Sequence, residues 1–282
     1  MTTEDAGFGG WSGLDMIDDN TLLAVSDSSH YLWINLAADG LTPAGASLGE
    51  LRDLKGDLYA TKVAGDAEGL AMFGDLALVG FEGDDARVMA FDIAHCQHSA
   101  RGAPVGWDLA ALLRSSGLWR NPNLGLEGLA ITDDGYLIAG LETQVDGESP
   151  LSIRPLETVP DFSFRVGKNS PELVGLDAVT EGDTVRLFSL HRNAQAPLSS
   201  NAITFIETVF TRDPNPSGKR ADQKFSIRSS LILADMNLLL TIDNYEGIAA
   251  RRLPDGRIRL YVISDNNFSG SQRTLLMAFD VK

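Results

Sequence analysis

The sequence predicts an all-β fold, a β-propeller of five blades, on three observations. A short unit recurs along the chain: an acidic residue or serine, then glycine or alanine, then an aliphatic residue that opens an apolar run. A turn signal such as Asp-Gly follows each unit, and a second apolar run follows each turn. No long segment of helical periodicity separates the units. Small antiparallel sheets repeated every ~40–50 residues or more are typical of propellers, in which each sheet is one blade around a central channel.

The number of units predicts the number of blades. The five copies are Ser12-Gly13-Leu14, Glu68-Gly69-Leu70, Glu127-Gly128-Leu129, Asp177-Ala178-Val179 and Glu246-Gly247-Ile248. The longest interval, after Asp177, is too short to hold a second complete four-stranded blade of ~40 residues. A sixth blade around residues Phe225–Ile242 is the alternative. We therefore expect a single propeller domain over residues 1–282, with three or four strands in each blade.

Each unit opens the first strand of a blade, and the following apolar runs give the later strands. Their nearly continuous apolar character predicts strands that are covered on both faces. Second strands are predicted at Leu22–Ser26, Leu76–Phe81, Tyr136–Leu141, Val185–Leu190 and Arg259–Ser264. Third strands are predicted at Tyr31–Leu36, Arg87–Ile93, Leu151–Leu156, Ile203–Thr211 and Thr274–Val281.

Three further segments complete the prediction. Leu109, Leu112 and Leu113 have helical spacing, so one helix is expected over Trp107–Ser116. The segment Asp213–Gln223 is rich in proline, asparagine and glycine and is expected to be an exposed loop. The last unit is short, so N-terminal residues are expected to complete its blade and close the ring.

The charge of the chain limits its partners. It has 39 acidic against 23 basic residues and a formal charge of −16, so nucleic acid and anionic membranes are expected to be repelled. No apolar run approaches the ~18–20 residues of a membrane-spanning helix. The single cysteine does not decide the compartment. The first residues are acidic and polar, unlike a signal peptide.

Strand direction predicts where the acidic residues gather. The first strands of the blades line the channel of a propeller. The unit residues are therefore expected to form an inner ring of Ser12, Glu68, Glu127, Asp177 and Glu246. Each second strand returns to the same face, where it ends at Asp27, Glu82, Glu142, His191-Arg192 or Asp265. These two rings would meet around one mouth of the channel.

A mouth of this composition predicts a site for a hard cation. Oxygen ligands with almost no sulfur or imidazole select Ca²⁺, with Mg²⁺ as the alternative. The expected ligands are Glu68, Glu127, Asp177, Glu246, Asp27, Glu82, Glu142 and Asp265, and Asn123 and Asn244 are candidate neutral ligands. The alternative is that each acid caps backbone amides at a blade junction or pairs with a neighbouring arginine.

The basic residue of the fourth unit interrupts the acidic pattern. Arg192 has two alternative roles, either holding the phosphate or carboxylate of a substrate or neutralising Glu127 or Asp177. Arg273 offers the same choice. If the site is catalytic, Glu68 or Glu127 is the candidate general base and Arg192 the candidate anion-binding group.

Several segments resemble one known family along essentially the whole chain. Phe8–Leu14 with Ala24–Asp27 resembles the opening of the bacterial "esterase-like activity of phytase" family, and Asp66–Leu70 and Leu126–Leu129 are similar to its internal repeats. The closing segments are the most specific ones. They are Asn244–Ile248, Val262–Phe268 and Gln272–Leu276.

The resemblance implies an activity and a location. The family is named after its similarity to propeller phytases, which are calcium-dependent phosphate-ester hydrolases. It therefore implies a small anionic ester or phosphate ester as substrate. Members are typically exported, often into the periplasm, while the short acidic start of this chain leaves a cytoplasmic location open. Two other functions fit the same residues: a non-catalytic binding or scaffold propeller with a structural cation, and a lactonase-type propeller.

Overall fold

A computed structural model of the chain describes residues 5–118, 125–193, 202–237, 240 and 242–281. It contains five antiparallel sheets, which follow one another along the sequence as five blades. The predicted five-bladed β-propeller is therefore confirmed.

The strands of each blade lie in chain order from the channel outwards. Blade 1 contains β1 (Trp11–Asp18), β2 (Thr21–Ser26), β3 (His30–Leu36) and β4 (Pro43–Glu50). Blade 2 contains β5 (Ala67–Phe73), β6 (Leu76–Phe81), β7 (Arg87–Asp92) and β8 (Ala103–Pro104). Blade 3 contains β9 (Leu126–Ile131), β10 (Tyr136–Leu141), β11 (Ser149–Pro155) and β12 (Phe164–Val166). Blade 4 contains β13 (Glu172–Glu181), β14 (Thr184–Arg192), β15 (Ile203–Arg212) and β16 (Phe225–Met236). Blade 5 contains β17 (Asn244–Arg252), β18 (Ile258–Asp265) and β19 (Leu276–Val281).

The chain has two short α-helices among the described residues: α1 (Ile93–Cys96) lies between β7 and β8 of blade 2, and α2 (Leu109–Ser116) lies between blades 2 and 3. The carboxylate of Asp108 caps α2 by accepting the Ala111 N–H, so the helix begins two residues later than predicted. Single 3₁₀ turns occur at Gln97–Ser99 and Arg220–Asp222. No helix in the described residues is long and apolar enough to cross a membrane.

The alternative of a sixth blade is wrong. The segment Phe225–Met236 is one twelve-residue strand that pairs with β15 as the outermost strand of blade 4. It therefore lengthens a blade, and the long interval before the last unit is occupied by the two long strands β15 and β16.

The first strands form the inner wall of the ring. Each contacts the next in the cycle β1, β5, β9, β13, β17 and back to β1. The apolar core is divided among the five blade junctions, for example Leu23 and Val25 with Ala67 and Leu70 between blades 1 and 2. Burial between blades therefore holds the ring together, as expected when strands are covered on both faces.

The ring closes differently from the prediction. Within the described part of the chain, blade 5 has only three strands and no N-terminal segment joins it, because β1 pairs with β2 in blade 1. Blades 5 and 1 meet instead through packed side chains such as Trp11 and Ile263. The Arg251–Asp19 ion pair, at 2.9 Å, and the Tyr261 hydroxyl bonded to Gly40 O, at 2.7 Å, add polar contacts across the junction.

Candidate metal centre at the channel mouth

Every first strand contains a β-bulge near its start, and in blades 1, 2, 3 and 5 the bulged residue is a polar one that lies at the channel mouth. The strand register skips one residue in each blade, where two residues of the first strand oppose one residue of the second. The bulged residues are Ser12, Glu68, Glu127, Val174 and Glu246. Since a bulge redirects a side chain, it explains how residues in buried strands reach the mouth.

The residues that end the second strands lie at the same level. The N–H groups of Asp27, Glu82 and Glu142 donate to carbonyl groups just before the first strand of their own blade. Arg192 pairs with Glu172 and Asp265 pairs with Asn244 in the equivalent register. The predicted return ring is thus in place, except that Arg192 rather than His191 holds the position in blade 4.

Two overlapping groups of carboxylates have geometry suitable for a metal ion. One contains Asp66, Glu68 and Glu82, and the other contains Glu82, Glu127 and Glu142. Within each group one oxygen atom per residue lies within 4.8 Å of the others. Glu82 belongs to both groups and is only 5% exposed, and its Oε1 accepts the Gly125 N–H at 2.7 Å.

Burial and mutual repulsion dominate the electrostatics of these groups. Burial, followed by the charges of neighbouring carboxylates that include Glu246, raises the pKa of Glu68 and Glu127 well above the usual range. Burial is also the main cause that raises the pKa of Glu82 and Glu142 to about 7. Such groups require protons, a cation or basic partners to compensate their charge.

Protons can provide part of that compensation. Glu82 and Glu127 belong to one carboxylate group and Asp66 and Glu68 to the other, with one oxygen atom of each residue within 4.8 Å of those of its group. Two carboxyl groups this close can share a proton. The mouth is therefore able to exchange protons for a bound cation.

Arg192 neutralises the opposite side of the mouth. Its guanidinium donates to the carboxylate of Glu246 and to the side-chain oxygen of Asn244. Asn244 also donates to Glu246 at 2.9 Å and to Asp265 at 3.5 Å, and burial raises the pKa of Asp265 to about 7. The contacts of Arg192 correspond to the neutralising alternative, although its ion-pair partner is Glu246 rather than Glu127 or Asp177.

Asp177 does not lie in the ring at the mouth, so its predicted position is wrong. The bulged residue of blade 4 is Val174, and Asp177 comes three residues later along β13. Its carboxylate accepts the N–H groups of Ala178, at 2.6 Å, and Ala250, at 2.5 Å, and so links the first strands of blades 4 and 5. The matching unit in blade 4 is Val174-Gly175-Leu176, and it was missed because its first residue is neither acidic nor serine.

His191 has a structural position. It is fully buried, with Nδ1 3.0 Å from Pro171 O and Nε2 2.9 Å from the Ser189 hydroxyl. Burial lowers the pKa of His191 to about 4, so the ring is neutral at physiological pH. Asn123, a candidate neutral ligand, lies outside the described residues.

Two residues of the mouth escaped the sequence reasoning. Asp66 precedes β5 and faces Glu82 across the blade, a position held by glycine in blades 1 and 3. Asp66 lies two residues before Glu68, as Asn244 lies two residues before Glu246. Alignment of the five repeats would have shown that this position faces the mouth. Lys62 lies in the connection between β4 and β5, outside every repeat, where no pattern points to it.

The donor set fits a hard divalent cation. All candidate ligands are oxygen atoms, the donors that hard cations prefer. In the part of the chain that the structure describes, Asp27 Oδ1 and Asp66 Oδ1 are buried without a hydrogen-bond partner. Buried carboxylate oxygens without donors are costly, and a cation would satisfy them.

Two cavities adjoin the mouth. One, of about 10 Å³, is lined by Glu68 and Glu127 and by apolar residues such as Leu70 and Leu129, and it has room for about one water molecule. The other, of about 700 Å³, lies beside Arg192 and Glu246 and is lined also by Asn244, Asn267 and Arg273. Of these two cavities, only the second is large enough for a small organic ligand.

The fold and this site define a five-bladed propeller with a carboxylate-rich mouth. The chain matches the sequence model of the phytase-like family described as "esterase-like activity of phytase" over residues 6–268. It therefore belongs to this family, as its sequence resemblance implied.

The chain is similar to several solved structures at low sequence identity. A thermostable family-43 glycoside hydrolase is 9% identical, with 100% of this chain and 92% of that chain covered and a TM-score of 0.53. The family-43 endo-arabinanase from Bacillus licheniformis is 12% identical, with 95% and 96% covered and a TM-score of 0.42. Kuenenia stuttgartiensis hydrazine synthase is 17% identical, with 94% and 79% covered and a TM-score of 0.42. The search of curated proteins gave no significant match.

Proposed function

We propose that the protein is a divalent-cation-dependent hydrolase of small anionic esters or phosphate esters. The observation that carries this proposal is the pair of carboxylate groups that share Glu82, within each of which the ligand oxygens lie within 4.8 Å of one another. Membership of the phytase-like family supports the same class of reaction. Calcium is the proposed ion and magnesium the alternative.

Glu82, Glu127 and Glu142 would hold the cation, and Glu68 would lie beside it. These residues would hold the cation where it would polarise a phosphoryl or carbonyl oxygen and lower the pKa of a bound water. Glu68 or Glu127 would then act as the general base, because burial and neighbouring carboxylates raise the pKa of each and so make it a stronger proton acceptor than an exposed glutamate. The Gly125 N–H would keep Glu82 oriented.

The pocket beside the mouth is the proposed substrate-binding space. Its volume of about 700 Å³ lies in the range typical of small-molecule sites. Arg273 lies on its wall, 57% exposed, and is 3.1 Å from Asp243. An exposed guanidinium of this kind would receive the anionic group of a substrate, while Arg192 remains paired with Glu246. We also propose that the protein acts in the periplasm or outside the cell, as the family implies.

The test is a panel of phosphomonoesters, short acyl esters and lactones, each assayed with Ca²⁺, with Mg²⁺ and with a chelator. We expect cation-dependent turnover that falls at least 100-fold in Glu82→Gln and Glu127→Gln. The matched control is Glu157→Gln, an exposed carboxylate in an ion pair with Arg220, which should keep full activity.

The remaining outcomes separate the other functions. Hydrolysis of lactones without that of phosphate esters would favour a lactonase. A calcium-dependent rise in melting temperature without turnover would favour a scaffold with a structural cation. Turnover that chelators and both glutamine variants leave unchanged would contradict the proposal.

A further inference from the structure

Lys62 places an ammonium group at one side of the mouth. Its Nζ lies 2.9 Å from Asp27 Oδ2 and 3.7 Å from Asp66 Oδ1. Asp27 follows the second strand of blade 1, and Asp66 precedes the first strand of blade 2. The ammonium therefore connects two blades at the level of the carboxylate groups.

The segment that carries Lys62 is fixed on both of its neighbouring blades. The Ser29 hydroxyl of blade 1 donates to Gly65 O at 2.8 Å, and Arg87 of blade 2 donates to Ala64 O at 2.5 Å. Tyr59 packs against Phe81, with ring centroids 5.2 Å apart. The backbone at Lys62 is thus held in place, and only its flexible four-carbon stem is free to move the charge.

The ammonium compensates only part of the charge that surrounds it. Partial burial acts against the charged form, but the hydrogen bond to Asp27 and the charges of Asp27, Asp66 and Glu68 outweigh it and raise the pKa of Lys62. One oxygen of Asp27 and one of Asp66 still lack hydrogen-bond donors among the described residues. A divalent ion that binds oxygens on several sides would satisfy these carboxylates more completely than a single ammonium.

The described charged residues of the mouth form three groups: a lysine pair on one side, an arginine pair on the other, and unpaired carboxylates between them. Lys62 pairs with Asp27 and Asp66 on one side, and Arg192 pairs with Glu246 on the other. Within the described residues, no ion pair with a lysine or arginine reaches Glu82, Glu127 or Glu142, which lie between them. The middle group, Glu82, Glu127 and Glu142, is therefore the one that an external cation could bind.

We propose that Lys62 is a built-in cation that occupies the Asp27–Asp66 side of the mouth and excludes metal ions from it. Removing its charge would create a second cation site from Asp27, Asp66 and Glu68. That a metal ion binds at Glu82, Glu127 and Glu142 rests on the proposed function. That Lys62 keeps metal ions away from Asp27 and Asp66 does not depend on it.

The test compares calcium binding by four proteins: the wild type, Lys62→Met, Lys62→Arg and Lys55→Met. Lys55 is an exposed residue of the same connection and serves as the matched control. Titration calorimetry and elemental analysis after dialysis give the number of bound ions and their affinity. We expect Lys62→Met to bind one calcium more than the other three proteins, or to bind calcium at least tenfold more tightly.

The outcomes for Lys62 and for the proposed function are distinguishable. Equal stoichiometry and affinity in Lys62→Met and wild type would overturn the role of Lys62, while calcium binding by both would leave the proposed function standing. Binding by Lys62→Met alone would support the role of Lys62 and contradict a cation in the native site. Lack of binding by every protein would overturn both.

Stability provides a second measurement if the variant folds poorly. Without its ammonium group, the mouth carries uncompensated carboxylates, so Lys62→Met should unfold at a lower temperature in chelator and regain its stability with calcium. Lys62→Gln, which keeps a donor for Asp27 without the charge, should behave as Lys62→Met does. A loss of stability that calcium does not restore in either variant would overturn the proposal.

Discussion

Asp15 and Asp177 hold equivalent places, each two residues after the glycine that follows a bulge. Asp15 accepts the N–H groups of Met16 and Met72, and Asp177 those of Ala178 and Ala250. Each carboxylate thus binds an inward-facing amide of the next blade. Burial raises the pKa of both, and their mutual repulsion adds to the effect at Asp177. Acidic residues of this chain therefore serve two purposes, linking first strands within the channel and forming the mouth above them.

The first prediction tests whether Asp177 links two first strands or binds a metal ion. Asp177→Ala leaves the Ala250 N–H buried without its acceptor, which costs about 1–3 kcal/mol of folding free energy. Asp177→Asn keeps one oxygen acceptor and removes the repulsion with Asp15, but its amide NH₂ faces the second backbone N–H, so it should lose less stability than Asp177→Ala and remain below the wild type. Both are measured by denaturant unfolding, and neither should change calcium affinity. A loss of calcium binding in Asp177→Asn would instead restore Asp177 as a metal ligand.

The first strands are the elements that decide both the closure of the ring and the place of the site. Each has a bulge and then a glycine, and neighbouring first strands approach closely at these glycines: Gly13, Gly69, Gly128, Gly175 and Gly247. A Cβ atom at Gly175, for example, would overlap the carbonyl oxygen of Glu246. The glycine therefore permits the contact between blades, and the bulge beside it directs a side chain to the mouth.

The second prediction concerns this close approach. Gly175→Ala forces β13 away from β17 and should destabilise the protein by about 1–3 kcal/mol, as overpacking usually does. Gly106→Ala is the control, because no atom lies within 4 Å of the Cβ it would add. Denaturant midpoints measured side by side would show the difference. Equal midpoints would mean that the channel wall is able to yield at this position.

The same element shows what the sequence could and could not predict. The five apolar hairpins and their turns predicted the five blades, and they predicted the bounds of most strands to within two residues. They could do so because strand patterns and turn residues depend on the neighbouring sequence alone. The position of Asp177 could not be read from acidity, because the close approach of the strands requires the glycine, whereas the residue before it varies between serine, glutamate and valine. Lys62 was missed because its ion pair joins a connection to two blades, a contact that depends on the assembled ring.

At the scale of the whole molecule, acidic charge is concentrated where the blades converge. Outer carboxylates such as Asp134 and Asp280 form ion pairs with arginines, whereas Glu68, Glu82, Glu127 and Glu142 have no such ion pair among the described residues. The five blades thus bring together like charges that are distant in the sequence. The folding of the ring and the protonation of its mouth must therefore be linked.

The last prediction follows from this linkage. The pKa of Glu82, Glu142 and Asp265 is raised to about 7, against about 4 in an unfolded chain. The folded protein therefore holds protons that the unfolded chain releases, and the stabilisation is complete below about pH 4 and is lost as the pH rises through 7. His191, with its pKa lowered to about 4, has the opposite effect: it reduces the stability of the fold as the pH falls below about 6.5. It is one group against the three carboxyl groups. Asp134, whose pKa is lowered to about 2, changes stability only at lower pH.

In the presence of chelator, the melting temperature should fall by at least about 4 °C between pH 5 and pH 8, which corresponds to ~1–2 kcal/mol for a chain of this size. Calcium should reverse the fall, and its effect should be larger at pH 8 than at pH 5, because the cation replaces protons that have already left. The double variant Glu82→Gln, Glu142→Gln keeps neutral side chains at all pH values and should show a smaller fall and a weaker response to calcium. Melting curves followed by circular dichroism measure both quantities. A melting temperature that stays constant or rises from pH 5 to pH 8 in the wild type would mean that the carboxylates of the mouth are already ionised and compensated within the protein itself.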